Sequence, residues 1–334
     1  MVNTLSSARE DNKNLEIQQN LDRKARRKGW YELVIPYIGL AFIIIFFIIV
    51  TKGGFVSINN LENLINQGFT LTIIAVGAAF VYAHGGMDFS VGATCGCAQM
   101  VCGLMLLAGC PFWLAMIGCI LTAMLGASIT AQTALTLGVP VFIGSMCVRT
   151  IFKGVLDTVT EKTEVVIDYA QYSFMNNSIL KAVILVIFIA VGYYLFNYTS
   201  FGKYNKAIGG NPVTAIQAGV SSKKWIFLAY LTLGFSVGVA AIFAFFRVAR
   251  VSNNSGSGIE FNIMMAIILG GFPMFGGERS RLQAAIIGAL TVTCLSNGLQ
   301  LWGVDPLSIS GIKGVLFVVI VALSYDRSSG KLVS

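Results

Sequence analysis

Long apolar runs alternate with short polar interruptions along most of this chain. About 20 consecutive apolar residues cover the hydrocarbon core of a bilayer as a helix. By that measure about ten crossings are predicted, at 33–50, 64–83, 90–109, 111–135, 140–157, 178–198, 225–247, 259–275, 282–300 and 311–325. The fifth is the least apolar, because Arg149 and Lys153 lie in it. Small residues recur where helices must approach closely. In the fourth run, Gly118, Ala123, Gly126, Ala127 and Ala131 form such a face.

The longest interruption is 199–224, TSFGKYNKAIGGNPVTAIQAGVSSKK. An extramembrane loop this long is seldom idle. It carries Lys203, Lys206, Lys223 and Lys224 and no acid, which places it on the cytoplasmic side. Asn211 followed by Pro212 reads as a cap and a first helical residue, and Gly219 as the stop of a short helix. Such a helix at the membrane surface is a handle for a second protein.

Composition places the rest of the chain in lipid. Of 334 residues 56% are hydrophobic and 11% charged, with a mean hydropathy of +0.77. A soluble domain carries about 25% charged residues. One all-α integral membrane domain is expected over 31–326, between a basic tail (1–30) and a C-terminal tail (327–334). The net charge of +8 does not point to nucleic acid, because the basic residues flank apolar runs. There are seven cysteines and a single histidine, His84, with no CxxC pair, so no metal site is expected. Residues 1–28 contain Glu10, Asp11, Glu16 and Asp22 among the bases, unlike a signal or transit peptide. The cluster Arg23-Lys24-Ala25-Arg26-Arg27-Lys28 holds the N-terminus inside, with a lipid-headgroup site as the alternative role.

Charge tests that topology. With the N-terminus inside, the inner segments carry Arg9, Lys13, the 23–28 cluster, the four lysines of 199–224, Arg279, Arg281, Arg327 and Lys331. The outer loops carry only Lys52, Lys162 and Arg250. The asymmetry places both termini in the cytoplasm.

Two Gly-rich breaks stand out. At 84–92, HGGMDFSVG, Gly85 and Gly86 stop the second helix while Asp88 and Ser90 are placed to cap the third. This is either a tight cytoplasmic turn or a helix break beside a transport path. At 270–279, GGFPMFGGER has no phosphate-loop pattern and reads as a cytoplasmic turn. Arg149 and Lys153 share one helix face, and Arg149 is either a pathway residue or a structural one. Glu260 is expected to cap the eighth helix. Gln99 and Asn297, with Asn66, Gln67, Gln132 and Gln300, are the candidate partners for solute hydroxyls. No catalytic set is present, and no nucleotide-binding motif.

These motifs resemble one family. GGMDFSVGA (85–93) is similar to the GGIDLSVG signature of ribose/galactose/xylose-type ABC importer permeases. So are GKYNKAIGGNPVTAIQAGVS (202–221), the block 259–290 and the block 297–323, in the family's order. Departures occur at GGFPMFGGERSR and at Ser145 and Lys153-Gly154, near regions that shape a pore. The resemblance implies a type II ABC importer-like bundle in a bacterial cell membrane. A partner ATPase, using ATP and Mg, would dock on a cytoplasmic coupling helix at Gly209, Gly210, Asn211, Pro212, Ala215 and Gly219. An extracytoplasmic sugar-binding protein would deliver the solute, and a second copy or a paralogue would complete the pore. The family signature falls on Gly85, Gly86, Asp88, Ser90 and Gly92. No cofactor is expected on this chain itself. The rival readings are an ion-coupled secondary transporter, a vitamin- or metal-chelate permease and a membrane enzyme. Few polar groups lie deep in the predicted helices, which suits a neutral, hydroxylated solute.

Overall fold

The computed structural model describes residues 34–324. The two predicted tails, 1–30 and 327–334, lie outside the described residues. What is described is nearly all helix. The helices are α1 (Val34–Val50), α2 (Ile58–Ala83), α3 (Val91–Leu107), α4 (Phe112–Leu137), α5 (Val141–Lys162) and α6 (Ser178–Asn197). They continue as α7 (Ser200–Gly210), α8 (Pro212–Gln217), α9 (Ser222–Val248), α10 (Ile259–Leu269), α11 (Leu282–Leu301) and α12 (Pro306–Ser324). One two-residue antiparallel ribbon pairs β1 (Val165–Val166) with β2 (Arg250–Val251). The ribbon marks one end of the bundle, and α8 marks the other.

Five helices, α2, α4, α6, α9 and α11, are long and apolar enough to cross a membrane. The pattern of burial fits a lipid surround. α2 is buried almost all round from Phe69 to Ala83. α4 and α6 instead turn Leu121, Leu125, Val186, Ile187 and Val191 outward, and side chains this apolar are stable there only against lipid. Ala123, Ala127 and Ala131 are buried where α4 packs on α9. There the backbones nearly touch, since a Cβ on Gly234 would lie 2.7 Å from the Met124 Cα. The small-residue face of the fourth run is therefore a packing seam, as its spacing predicted.

Three predicted features are corrected. The 199–224 segment holds two helices, not one short helix in a loop. Ser200 to Gly210 form α7, which buries Gly202, Asn205 and Ile208, three apart, on one side. α5 runs to Lys162, beyond the predicted 157. The eighth run is helical only to Leu269, and its 11 residues span about 16 Å, half of a bilayer core.

The short α10 has a cause. After β2, residues 252–258 do not stay at the ribbon end but turn back along α3. A Cβ on Gly256 would strike the Gly92 carbonyl, and one on Gly96 would strike the Ser255 carbonyl. Gly103, by contrast, lies against Val165 and Phe245 at the ribbon end. At 1.5 Å per residue, Gly96 and Gly92 lie about 10 and about 16 Å farther down α3. α10 thus starts near mid-bundle and runs toward the α8 end.

Candidate functional site

The centre of the molecule is the place where α3 and α10 both begin. The Gly85–Ser90 turn that leads into α3, expected as either a tight cytoplasmic turn or a helix break beside a transport path, is not all at the surface: Asp88 and Ser90 are buried, 6% and 1% exposed. Asp88 Oδ1 accepts from the Ser90 backbone N–H at 2.7 Å and from the Ser90 hydroxyl at 2.6 Å. The Ser90 hydroxyl also meets the Thr130 hydroxyl of α4 at 3.2 Å. Asp88 therefore pins the first turn of α3, while Ser90 makes no side-chain cap of its own. Gly86 has no room for a side chain, because a Cβ would lie 2.6 Å from His84 Cε1 and 2.9 Å from the Tyr230 hydroxyl.

Gly92 has the tightest requirement. A Cβ there would overlap both the Glu260 carboxylate and the Gly256 carbonyl. Only glycine lets the re-entrant stretch cross α3 at that level.

Glu260 lies in the first turn of α10 and also has a partner outside its own helix. Arg149 Nη2 of α5 meets Glu260 Oε1 at 2.9 Å, with side-chain exposures of 37% and 2%. The N-cap is Gly258 at φ 79°, with no side-chain bond. The expected cap is thus an ion pair joining α5 to the half-helix. The helix dipole adds to it, since a carboxylate in a first turn is stabilised by the exposed N–H groups. One turn beyond Arg149, Lys153 pairs with Asp157 and donates to the Asn253 carbonyl at 2.6 Å.

Two cavities flank the re-entrant stretch, with Ser255 and Ser257 in both walls. The smaller, about 350 Å3, is lined by Arg149, Lys153, Asp157, Asn253 and Glu260. The larger, about 470 Å3, takes Gln67 and Thr70 from α2, Gln99 from α3, and Thr293, Ser296 and Gln300 from α11. Its remaining polar wall is Asn262, Arg247, Arg250 and Lys313, together with Ser252 and Asn254.

At the far end, the Asn211 side chain accepts from the Val213 and Thr214 N–H groups at 3.0 and 3.1 Å, and Pro212 opens α8. Gly219 at φ 83° closes the turn. Ala215 is buried toward the bundle, while Val213 and Ile216 point outward, 64% and 59% exposed. A Cβ on Gly210 would meet nothing within 4 Å. Gly209 is the contact point: a Cβ on it would strike the Ala83 carbonyl at the end of α2 and lie 2.7 Å from the Gly277 nitrogen. The Gly277 N–H donates to that same Ala83 carbonyl at 2.9 Å. α7 is therefore wedged between the end of α2, which leads to the Asp88 turn, and the turn that follows α10. Burial, and then the like charge of Arg281, lowers the pKa of the Lys206 ammonium beside them.

The candidate pathway residues separate. Arg149 lines the smaller cavity and Gln99 the larger. Gln99 also donates to Cys95 Sγ at 3.4 Å. Asn297 lines neither, and its Oδ1 accepts from Asn60 Nδ2 at 2.9 Å, tying α2 to α11. Gln67 and Gln300 line the larger cavity, Asn66 accepts from Lys181 at 2.6 Å, and Gln132 is exposed on α4. Sequence reasoning missed Arg247, Lys313 and Lys181. Each lies in or at the end of an apolar run, the signal that singled out Arg149.

Known proteins resemble the chain along nearly its whole length. It is 28% identical to the ribose import permease protein RbsC of Bacillus subtilis over 93% of this chain and 98% of that protein. It is 27% identical to the D-allose transport system permease protein AlsC of Escherichia coli, over 87% and 90% respectively. It is 24% identical to the galactofuranose transporter permease protein YtfT of Escherichia coli, over 79% of each. No solved structure matches. A family model covers residues 60–322, from the second helix through most of the last, and the chain belongs to that family, the permease component of the branched-chain amino acid transport system.

Proposed function

We propose that this chain is the membrane-spanning permease subunit of an ATP-driven, binding-protein-dependent importer. Its cargo is a monosaccharide or a related hydroxylated solute. The observation that carries this reading is α8. It is a capped helix that turns two apolar side chains away from the bundle and is seated through Gly209 on the end of α2. The sugar-permease names of the relatives agree with it.

On this reading α8 is the coupling helix and the α8 end is cytoplasmic. Lys203, Lys206, Lys223, Lys224 and Arg281 gather at that end. Glu161, Glu164 and Asp168 lie near the ribbon. This polarity supports the positive-inside orientation, with both termini in the cytoplasm of a bacterial cell and the chain crossing the membrane about ten times. A partner ATPase binds ATP and Mg and docks on Val213 and Ile216. A binding protein delivers solute at the ribbon end. A second copy or a paralogue completes the pore. Closure of the ATPase pair pushes α8 and α7. Because α7 abuts both the end of α2 and the turn after α10, the push reaches the two helix starts at mid-bundle. The Arg149–Glu260 pair holds α5 to that centre in the state seen here.

The test is the ATPase activity of purified complex in lipid vesicles, with and without sugar-loaded binding protein. Parent chain should show stimulated hydrolysis, and Gly210→Pro should uncouple it, since proline removes an N–H at the end of α7. Uptake that follows an imposed ion gradient with no ATPase present would replace this reading with a secondary transporter.

A further inference from the structure

We propose that the larger cavity holds an anionic group of the cargo, so that the solute is a hydroxylated molecule bearing a carboxylate or a phosphate. The inference rests on the importer reading and narrows its cargo.

The charge of the cavity wall is one-sided. Arg247 from the last turn of α9, Arg250 from β2 and Lys313 from α12 all line it, and no Asp or Glu does. Arg250 has an acid outside the cavity, Glu164 at 3.5 Å. Among the described residues Arg247 makes no ion pair and no hydrogen bond. Lys313 donates only to a neutral group, Asn262 Oδ1 at 2.9 Å. Behind the wall a further cation, Lys181, is 1% exposed and is held by Asn66 and Asn176 at 2.6 and 3.0 Å, again without an acid. Glu260 cannot serve, because it is engaged by Arg149 beside the other cavity.

Arg247 and Arg250 stand at the ribbon end of the cavity and Lys313 within α12; a cation held away from water is costly and usually serves a pathway. A wall of one sign with low-dielectric surroundings concentrates the opposite charge. The guanidinium of Arg247 has the fork geometry that matches a carboxylate or phosphate, and Lys313 adds a point charge. Gln67, Gln99, Thr293 and Gln300 supply the neutral donors and acceptors that hydroxyls need. A cavity of about 470 Å3 is within the usual range for a small-molecule site. The expectation of a neutral solute followed from how few polar groups lie deep in the predicted helices. The fold changes that premise by bringing cations from separate elements to one space.

The experiment uses the full permease with its ATPase in discs of zwitterionic lipid. Binding of D-ribose, D-ribose 5-phosphate and D-galacturonate is measured by calorimetry. At least one of the two anions should bind about tenfold or more tighter than ribose. Arg247→Gln and Lys313→Gln, on different helices, should each weaken that anion about tenfold and weaken ribose much less. Arg250→Gln should have a smaller effect, because Arg250 has its own acid. The proposal is overturned if ribose binds as tightly as both anions, or if neither anion binds up to about 10 mM. It is overturned if both substitutions leave anion binding intact. It also fails if, in discs doped with anionic lipid, a phospholipid occupies the cavity and neither solute displaces it. ATP-driven uptake by the same complex decides the importer reading separately. Uptake of ribose with no preference for anions would keep the importer and end this proposal.

Discussion

Breaking the Arg149–Glu260 pair from its two sides should give unequal results. The carboxylate is 2% exposed and the guanidinium 37%. Arg149→Met leaves a buried carboxylate without its counter-ion. Removing one partner of a buried pair costs about 3–5 kcal/mol, and the partial exposure of Arg149 argues for the lower end. Glu260→Gln keeps the shape and leaves a guanidinium that reaches the water of the smaller cavity, which should cost about 1 kcal/mol. At about 1.4 °C per kcal/mol for a chain of 334 residues, Arg149→Met lowers the Tm by about 4 °C or more and Glu260→Gln by about 1–2 °C. The double variant should recover most of the loss, because no buried charge is left alone. The assay is thermal unfolding of the purified chain in one detergent at one scan rate. Equal shifts for the two single variants, or a double variant as unstable as the sum of the singles, would refute this account of the pair.

Other outcomes follow from the same geometry. Gly92→Val should abolish accumulation of folded protein, since its side chain would enter the Glu260 carboxylate and the Gly256 backbone, whereas Gly154→Ala, with nothing within 4 Å, should leave the Tm within about 1 °C. Val213→Asp combined with Ile216→Asp should stop an ATPase from co-purifying while the Tm stays unchanged, because both side chains are already outside the bundle. Asn211→Ala should cost about 1 kcal/mol of α8 stability and reduce stimulated ATP hydrolysis, with Asn211→Asp restoring it. Asn297→Leu should lower the Tm by about 1–4 °C, because the Asn60 amide loses one acceptor in a buried site.

How far the sequence could be read depended on the range of the interaction involved. α1, α2, α4, α6, α9 and α11 lie close to their predicted runs, because apolar length is a local property. The Asn211 cap, Pro212 and the Gly219 stop are likewise written within a few residues and were found as expected. The family resemblance too rests on short contiguous motifs, and the family match covers the same blocks.

The functional centre was not readable in this way. Glu260 looked like a cap because its neighbours along the chain suggested one. Its actual partner sits on α5, and only the re-entry of 252–258 brings the two together. The GGMDFS turn could be read as a cytoplasmic turn or as a helix break, and only the packing around it shows that Asp88 and Ser90 are buried, with Ser90 against Thr130 of α4. Arg247 and Lys313 stand in or at the end of different apolar runs, and nothing local says that they share a cavity. Apolar length, local caps and charge asymmetry are sums over neighbouring residues, so the sequence alone determined them. Which charges meet, and which line an open space, depends on contacts between distant segments, and only the tertiary structure decided that.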